Sequence, residues 1–100
     1  MAGYILKKGK NMYCVYIIKS QKTEEYYIGS TGCLDDKIKR HNSGRSKATQ
    51  KGRPWSTILI EKYKTRAEAL KREAQIKSYH GGKAFKKLIF SNLVPSGEIA

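Results

Sequence analysis

Two tyrosines near the start of the chain are the first residues whose spacing suggests chemistry. Tyr16 lies in the apolar run 13–18 and Tyr27 in the run 26–31, with a short polar break over 20–25. Runs rich in β-branched and aromatic residues are typical of strands, and so short a connection predicts a hairpin. A hairpin places the two phenols side by side, in a protein that is strongly basic.

The carboxylate of Glu73 is a second candidate, and the chemistry it suggests is metal binding. The sequence 65–68 has the spacing of a capping box and predicts a helix from there to about Tyr79. Glu73 interrupts the predicted apolar stripe of this helix, which consists of Ala69, Leu70, Ile76 and the aliphatic stem of Lys77. A carboxylate among apolar side chains is costly unless it is paired or bound to a cation. Pairing with a lysine and ligation of a metal therefore both remain open, and the second is the sharper hypothesis.

The elements that must position these groups follow the order β-β-α-β-α-α. A first helix is predicted over 34–42, ending near Gly44, a third strand over 55–63, and a last helix over 83–92 after Gly81 and Gly82. This order predicts an α+β fold, with a three-stranded antiparallel sheet flanked by three helices. We expect the domain to occupy residues 12–90, with a basic flexible leader over 1–11 and a C-terminal tail over 91–100.

A third candidate, His41, lies on the predicted first helix. Leu34, Ile38 and His41 recur at helical spacing, so His41 shares the inward stripe, and Lys37 lies at its edge. An ordinary helix-end histidine is the plain alternative, and only the registry of His41 with Tyr27 and Lys37 favours a role in a site.

Composition indicates a polyanionic partner. The chain of 100 residues has 21 lysines and arginines against 8 acidic residues, a formal net charge of +13. Nucleic acid is favoured over a membrane surface, because no segment approaches a membrane span and the cations are spread along the chain. A small cationic ribosome-associated protein is an alternative class. The two cysteines, Cys14 and Cys33, form neither a zinc nor a redox motif, which favours a reduced, cytoplasmic setting.

The stretch 43–54 is rich in Gly, Ser, Thr, Lys and Arg, a composition that predicts a mobile basic loop. Such a loop leaving a site helix suits contacts with a phosphate backbone, although solvated surface charge is the simpler interpretation. The predicted nucleic-acid-binding residues are Arg40, Arg45, Lys47, Lys51 and Arg53. No element resembles a device that reads bases, so we expect structure-selective or weakly specific binding.

Together these segments resemble the GIY-YIG nuclease superfamily, in particular small single-domain members and the catalytic domain of excision-repair endonucleases. The second signature is intact in 27–29, Tyr-Ile-Gly, whereas the first is degenerate, Cys-Val-Tyr in 14–16, with its tyrosine kept. The segments 41–44, 53–55 and 69–73 also look like these members, so the resemblance covers about residues 12–90.

The resemblance implies an endonuclease that hydrolyses phosphodiester bonds with one Mg²⁺ or Mn²⁺ per site, with DNA favoured over RNA. It implies Tyr27 as general base or water-orienting phenol, Tyr16 in support, His41 near the nucleophile and Glu73 as the metal ligand. A hard cation held by a carboxylate suits the charge that develops on phosphate oxygens. A protein partner could supply specificity.

One position departs from the family pattern. Ten residues after the tyrosine of the second signature the family has a catalytic arginine, and this chain has Lys37. Lysine keeps the charge but lacks the planar fork that grips two phosphate oxygens. Two functions are therefore open: an endonuclease with reduced activity, and a nucleic-acid-binding module of the same fold with weak or no hydrolysis.

Overall fold

The computed structural model describes residues 12–93, and its element order is the predicted one. The strands are β1 (Tyr13–Ser20), β2 (Tyr26–Thr31) and β3 (Trp55–Tyr63); the helices are α1 (Leu34–Ser43), α2 (Arg66–Lys77) and α3 (Lys83–Leu93). A 3₁₀ turn (Gln50–Gly52) lies between α1 and β3. The predicted α+β class is confirmed. The expectations for residues 1–11 and 94–100 lie outside the described residues.

The three strands form one antiparallel sheet in the order β2-β1-β3, so β1 is central. In the β1–β2 hairpin, Tyr16 pairs with Gly29 and Ile18 pairs with Tyr27. Directly opposed residues share one face of a sheet. Tyr16 and Tyr27 therefore project from the same face, as the predicted hairpin requires.

Each face of the sheet carries its own apolar cluster, because side chains alternate along a strand. Val15 and Ile17 pack with residues of α2 and α3, including Ile76 and Phe85. On the other face, the cluster consists of Tyr16, Ile18 and Trp55, with Tyr27 and the α1 residues Leu34 and Ile38 packed against it. Helix α1 thus covers the tyrosine face, and α2 and α3 cover the opposite face.

Helix α1 ends where the sequence indicates. Gly44 adopts a left-handed conformation with φ of 85° at the C-cap, which favours glycine because a Cβ there is strained. The end of the helix is docked on β3 by Asn42. Its Nδ2 donates to the carbonyl of Trp55 and its Oδ1 accepts from the backbone N–H of Trp55.

The predicted capping box of α2 is present, since Thr65 and Glu68 each bond to the backbone of the other. Its predicted apolar stripe is partly wrong. Ala69 and Ile76 are buried, but Leu70 is 49% exposed. Successive helix residues lie about 100° apart, so a helix that contacts the sheet through a small alanine turns the next side chain away.

Among residues 12–93, no helix has the length and apolar content needed to cross a membrane.

Candidate functional site

A hydrogen bond between two buried side chains lies at the centre of the tyrosine face. The hydroxyl of Tyr16 and Nε2 of His41 are 2.9 Å apart. Tyr16 is 1% exposed and His41 is 2% exposed. The inward position predicted for His41 is confirmed, and the bond joins the central strand to α1.

Tyr27 completes this cluster from the neighbouring strand. Its ring centroid lies 6.5 Å from that of Tyr16 and 5.0 Å from that of His41. The ring centroid of Trp55 lies 6.5 Å from that of Tyr27. Tyr27 is half-buried, whereas Tyr16 and Trp55 are buried. Tyr27 is therefore the phenol of the pair that a ligand can contact, and the buried Trp55 anchors the start of β3.

Gly29 makes room for the Tyr16 hydroxyl. A Cβ built on Gly29 would lie 2.5 Å from the Tyr16 oxygen and 2.7 Å from Cζ. From the sequence, glycine in a strand indicates close approach of a ligand or backbone. The group that approaches here is the side chain of Tyr16.

Thr49 is a residue of this cluster that the sequence does not single out. Its Oγ1 lies 2.7 Å from Nδ1 of His41, so both ring nitrogens of the histidine have hydrogen-bond partners. Its carbonyl accepts from the indole N–H of Trp55 at 2.8 Å. No periodic pattern distinguishes a threonine within a basic loop, so no signal in the sequence identifies it.

The same residue corrects the prediction of a wholly mobile loop over 43–54. Thr49 is 1% exposed, and the loop forms the 3₁₀ turn directly after it. The buried hydroxyl and carbonyl of Thr49 secure the loop to the tyrosine face, since buried polar groups require partners.

Burial and neighbouring charges determine the protonation states of His41 and Tyr16. Burial lowers the pKa of His41, and the charges of Lys37 and Arg40 lower it further, so the imidazole is neutral at neutral pH. Burial raises the pKa of Tyr16 well above its ordinary value, and the electrostatic influence of Tyr27 and Glu73 acts in the same direction. Tyr16 therefore remains a neutral phenol, which can hydrogen-bond but cannot serve as a base.

Glu73 lies on α2, on the opposite face of the sheet, and reaches the edge strand β2. Its Oε1 accepts a hydrogen bond of 2.5 Å from the hydroxyl of Ser30, the residue after Gly29. Its Oε2 forms an ion pair of 2.7 Å with Nζ of Lys77. Burial alone would raise the pKa of this carboxyl, but the bonds from Lys77 and Ser30 outweigh it and hold the pKa below its usual range. The carboxylate is therefore ionised.

This carboxylate fits a single divalent cation. Magnesium is commonly bound by one or two carboxylates together with waters and substrate phosphates, so a cluster of acidic residues is not required. The lysine pairing left open above is also observed. The side chain of Lys77 is 55% exposed, so it can move into solvent and free one carboxylate oxygen for a cation.

The remaining predicted residues lie on α1 and on the segment between α1 and β3. Lys37 is half-buried on α1, one turn before His41, and is close enough for its charge to act on the imidazole. All the predicted backbone-binding residues are exposed, namely Arg40, Arg45, Lys47, Lys51 and Arg53. The structure brings Tyr16, Tyr27 and His41 together and places Glu73 at the strand edge beside Gly29.

Comparison with known proteins gives consistent matches. The profile of the GIY-YIG catalytic domain matches residues 12–86. The structure-specific endonuclease subunit slx1 of Schizosaccharomyces pombe is 37% identical over 70 residues, which are 63% of this chain and 26% of that protein. A UPF0213 protein of Staphylococcus aureus is 38% identical over 66 residues, which are 65% of this chain and 79% of that protein. The chain thus spans about a quarter of the first relative and most of the second.

Proposed function

The chain belongs to the GIY-YIG nuclease family, and from this premise we propose that it is a metal-dependent endonuclease that cleaves DNA and selects its substrate by structure. The observation that supports this most directly is the hydrogen-bonded cluster of Tyr16 and His41 with Tyr27 beside it. A merely cationic protein has no need for two phenols and a neutral imidazole packed together on one face of a sheet.

We assign to Tyr27 the role of orienting the attacking water or accepting its proton. It is the more exposed of the two phenols, and its ring packs against His41. Tyr16 remains protonated and holds the imidazole through its hydroxyl, so it acts as a positioning residue. A water-orienting or proton-accepting side chain typically contributes about 10²–10⁴-fold to a rate.

Glu73 is the group we assign to one Mg²⁺ or Mn²⁺. Such a cation, when bound, stabilises negative charge that develops on the phosphate oxygens. Glu73 is ionised, and Ser30 orients one of its oxygens while Lys77 neutralises the other. The exposed lysine can withdraw without disturbing the bond from Ser30.

The substrate binds to exposed basic residues of α1 and of the segment that follows it. We assign backbone contacts to Arg40, Arg45, Lys47, Lys51 and Arg53, all exposed. Such contacts set affinity and register but carry no sequence information. The relative from Schizosaccharomyces pombe is a structure-specific endonuclease subunit by name, which supports both structure selection and a protein partner for this chain.

A second candidate function is a nucleic-acid-binding module with little hydrolysis. Two observations favour it: Lys37 stands where the family has arginine, and the carboxylate of Glu73 is paired with Lys77. A preorganised donor aimed at developing charge is worth roughly 10²–10³ in rate, so its loss alone could leave a binding protein.

One assay separates the two functions. Purified protein is incubated with nicked, branched and single-stranded DNA and with RNA, in Mg²⁺ or Mn²⁺ and then in EDTA. Endonuclease function predicts cleavage that needs metal, that falls about 10²-fold or more in Tyr27→Phe, and that disappears in Glu73→Gln. The exposed Glu25→Gln is the matched control and retains cleavage.

Tight, salt-sensitive binding without cleavage would support the second function instead. A protein that shows neither cleavage nor salt-sensitive binding would overturn both.

A further inference from the structure

A cleft lies beside the tyrosine face, at the end of the sheet that carries the β1–β2 turn. It has a volume of about 700 Å³ and opens between that turn and the 3₁₀ turn. Its lining includes Lys22, Thr23, Asn42, Gln50, Lys51 and Arg53. None of the tyrosines of the candidate site lines it.

The two walls of this cleft are joined by a buried serine. Ser20 is fully buried, and its hydroxyl donates to the carbonyl of Gly52 in the 3₁₀ turn at 2.6 Å. The same oxygen accepts from the backbone N–H groups of Lys22 and Thr23 at 3.0 and 2.8 Å. A single side chain thus fixes the turn that carries Lys22 against the loop that carries Lys51.

The cleft is cationic, and its charges are free to act on a ligand. Among the described residues, Lys22, Lys51 and Arg53 form no ion pair, and no carboxylate lines the cleft. The guanidinium of Arg53 is held in place, because its Nε donates to the carbonyl of Gln50 at 2.9 Å. It packs over Gly44, where a Cβ would lie 2.6 Å from Nη1.

The cleft is adjacent to the candidate site through Asn42 and Trp55. Asn42 lines the cleft, and the next residue toward the N-terminus, His41, belongs to the site. The Asn42 side chain holds the backbone of Trp55, whose ring packs against Tyr27. Asn42 and Trp55 therefore connect the lining of the cleft to the ring of Tyr27.

We propose that this cleft binds the phosphodiester backbone of the substrate nucleic acid at a second point, away from the phosphate that is cleaved. The inference rests on the proposed function and adds Lys22 and Thr23, residues of a different segment, to the basic loop. Cationic side chains beside amide and hydroxyl groups suit phosphate oxygens. Among the described lining residues there is no aromatic ring on which a base could stack, which argues for backbone recognition.

The test measures binding in EDTA, so that it does not depend on cleavage. Fluorescence anisotropy gives Kd for labelled DNA and RNA duplexes of one sequence over a series of salt concentrations. The variant Lys22→Glu/Lys51→Glu reverses two charges of the cleft and leaves the Arg53 contact intact. The control Lys64→Glu/Lys71→Glu makes the same charge change at exposed positions outside the cleft.

We expect the cleft variant to reduce the slope of log K against log salt by about two and to weaken binding at least about tenfold more than the control. This loss with either duplex supports the inference, and the duplex affected identifies the nucleic acid. Equal losses in the two variants, or wild-type affinity in the cleft variant, would overturn it. Far-UV circular dichroism confirms that both variants are folded.

The result is distinguishable from a failure of the proposed function. If the wild-type protein binds through the cleft but does not cleave in Mg²⁺ or Mn²⁺, the endonuclease function is overturned and binding in the cleft is supported. If the wild-type protein cleaves while the cleft variant binds normally, binding in the cleft is overturned and the endonuclease function is supported.

Discussion

The hydroxyl of Tyr16 and Nε2 of His41 form a buried hydrogen bond of 2.9 Å between residues that are 25 positions apart. It joins the central strand to α1 and fixes a neutral phenol and a neutral imidazole beside Tyr27. Because both partners are buried and bonded to each other, the two groups are preorganised for the function proposed above. Preorganisation of this kind is how polar groups of a site contribute to catalysis.

The bond from Thr49 to His41 is testable with two substitutions. Thr49→Val removes the hydroxyl and leaves the buried Nδ1 without a partner, which we expect to cost about 1–3 kcal/mol of unfolding free energy. Thr49→Ser retains the hydroxyl, so it should lose less unfolding free energy than Thr49→Val. It should also keep most of the wild-type cleavage rate, which Thr49→Val should not. Urea denaturation and the cleavage assay measure the two effects, and equal losses in the two variants would contradict the assignment.

Substitution of Gly29 should displace Tyr16. In Gly29→Ala the new Cβ would lie 2.5 Å from the phenol oxygen, so the ring must move and its bond to His41 must lengthen. We expect a loss of about 1–3 kcal/mol of unfolding free energy, typical of overpacking, and a lower cleavage rate. Gly32→Ala is the control, since its Cβ would meet only the ring edge of Tyr13 at 3.3 Å. Normal stability and activity of Gly29→Ala would show that Tyr16 tolerates displacement.

Release of Glu73 from its ion pair should strengthen metal binding. Lys77→Gln removes the cation that occupies Oε2, so a divalent cation no longer competes with it. We expect half-maximal cleavage at an Mg²⁺ concentration about threefold or more below that of wild type. A threefold change corresponds to less than the roughly 1.4 kcal/mol of a tenfold change in affinity. Lys71→Gln, an exposed lysine on the same helix, should leave the Mg²⁺ dependence unchanged. An unchanged Mg²⁺ dependence in Lys77→Gln would argue against Glu73 as the metal ligand.

Restoration of arginine at position 37 should raise activity. Lys37→Arg supplies a planar fork that can donate to two phosphate oxygens at once, and we expect the cleavage rate to rise at least about tenfold. Lys39→Arg makes the same change at an exposed position on the same helix and should have no such effect. Identical rates in wild type and Lys37→Arg would mean that lysine performs the role fully.

The buried imidazole should make stability depend on pH. Because the pKa of His41 is lowered in the folded state, the unfolded chain, with an ordinary histidine pKa of about 6.5, binds more protons on the acid side. The contribution of His41 to the unfolding free energy is fully present above about pH 6.5 and is lost as the pH falls through the lowered pKa of the folded state. Urea denaturation at the two ends of this window should show a smaller unfolding free energy at the acid end.

The control for this pH effect is the second histidine, the exposed His80. His41→Gln should flatten the dependence over the window, whereas His80→Gln should retain it. A dependence that persists unchanged in His41→Gln would assign the effect to another group.

Local sequence predicts most of the elements because their ends are set within a few residues. The bounds of β2 and β3 agree with the apolar runs 26–31 and 55–63, and the box of Thr65 and Glu68 opens α2. The exposure of Leu70 could not be predicted, since it depends on how closely Ala69 lets α2 approach the sheet.

Residue types and spacing by themselves determined the candidates: two phenols on a hairpin, an inward histidine and an ionisable group within an apolar stripe. Only the tertiary structure decided their partners. Tyr16 bonds to His41, Glu73 to Ser30 across 43 positions, and Ser20 to Gly52 across 32. Hydrogen bonds form only over about 3 Å, so which distant residues meet depends on the packing of the whole sheet and its helices rather than on any local pattern.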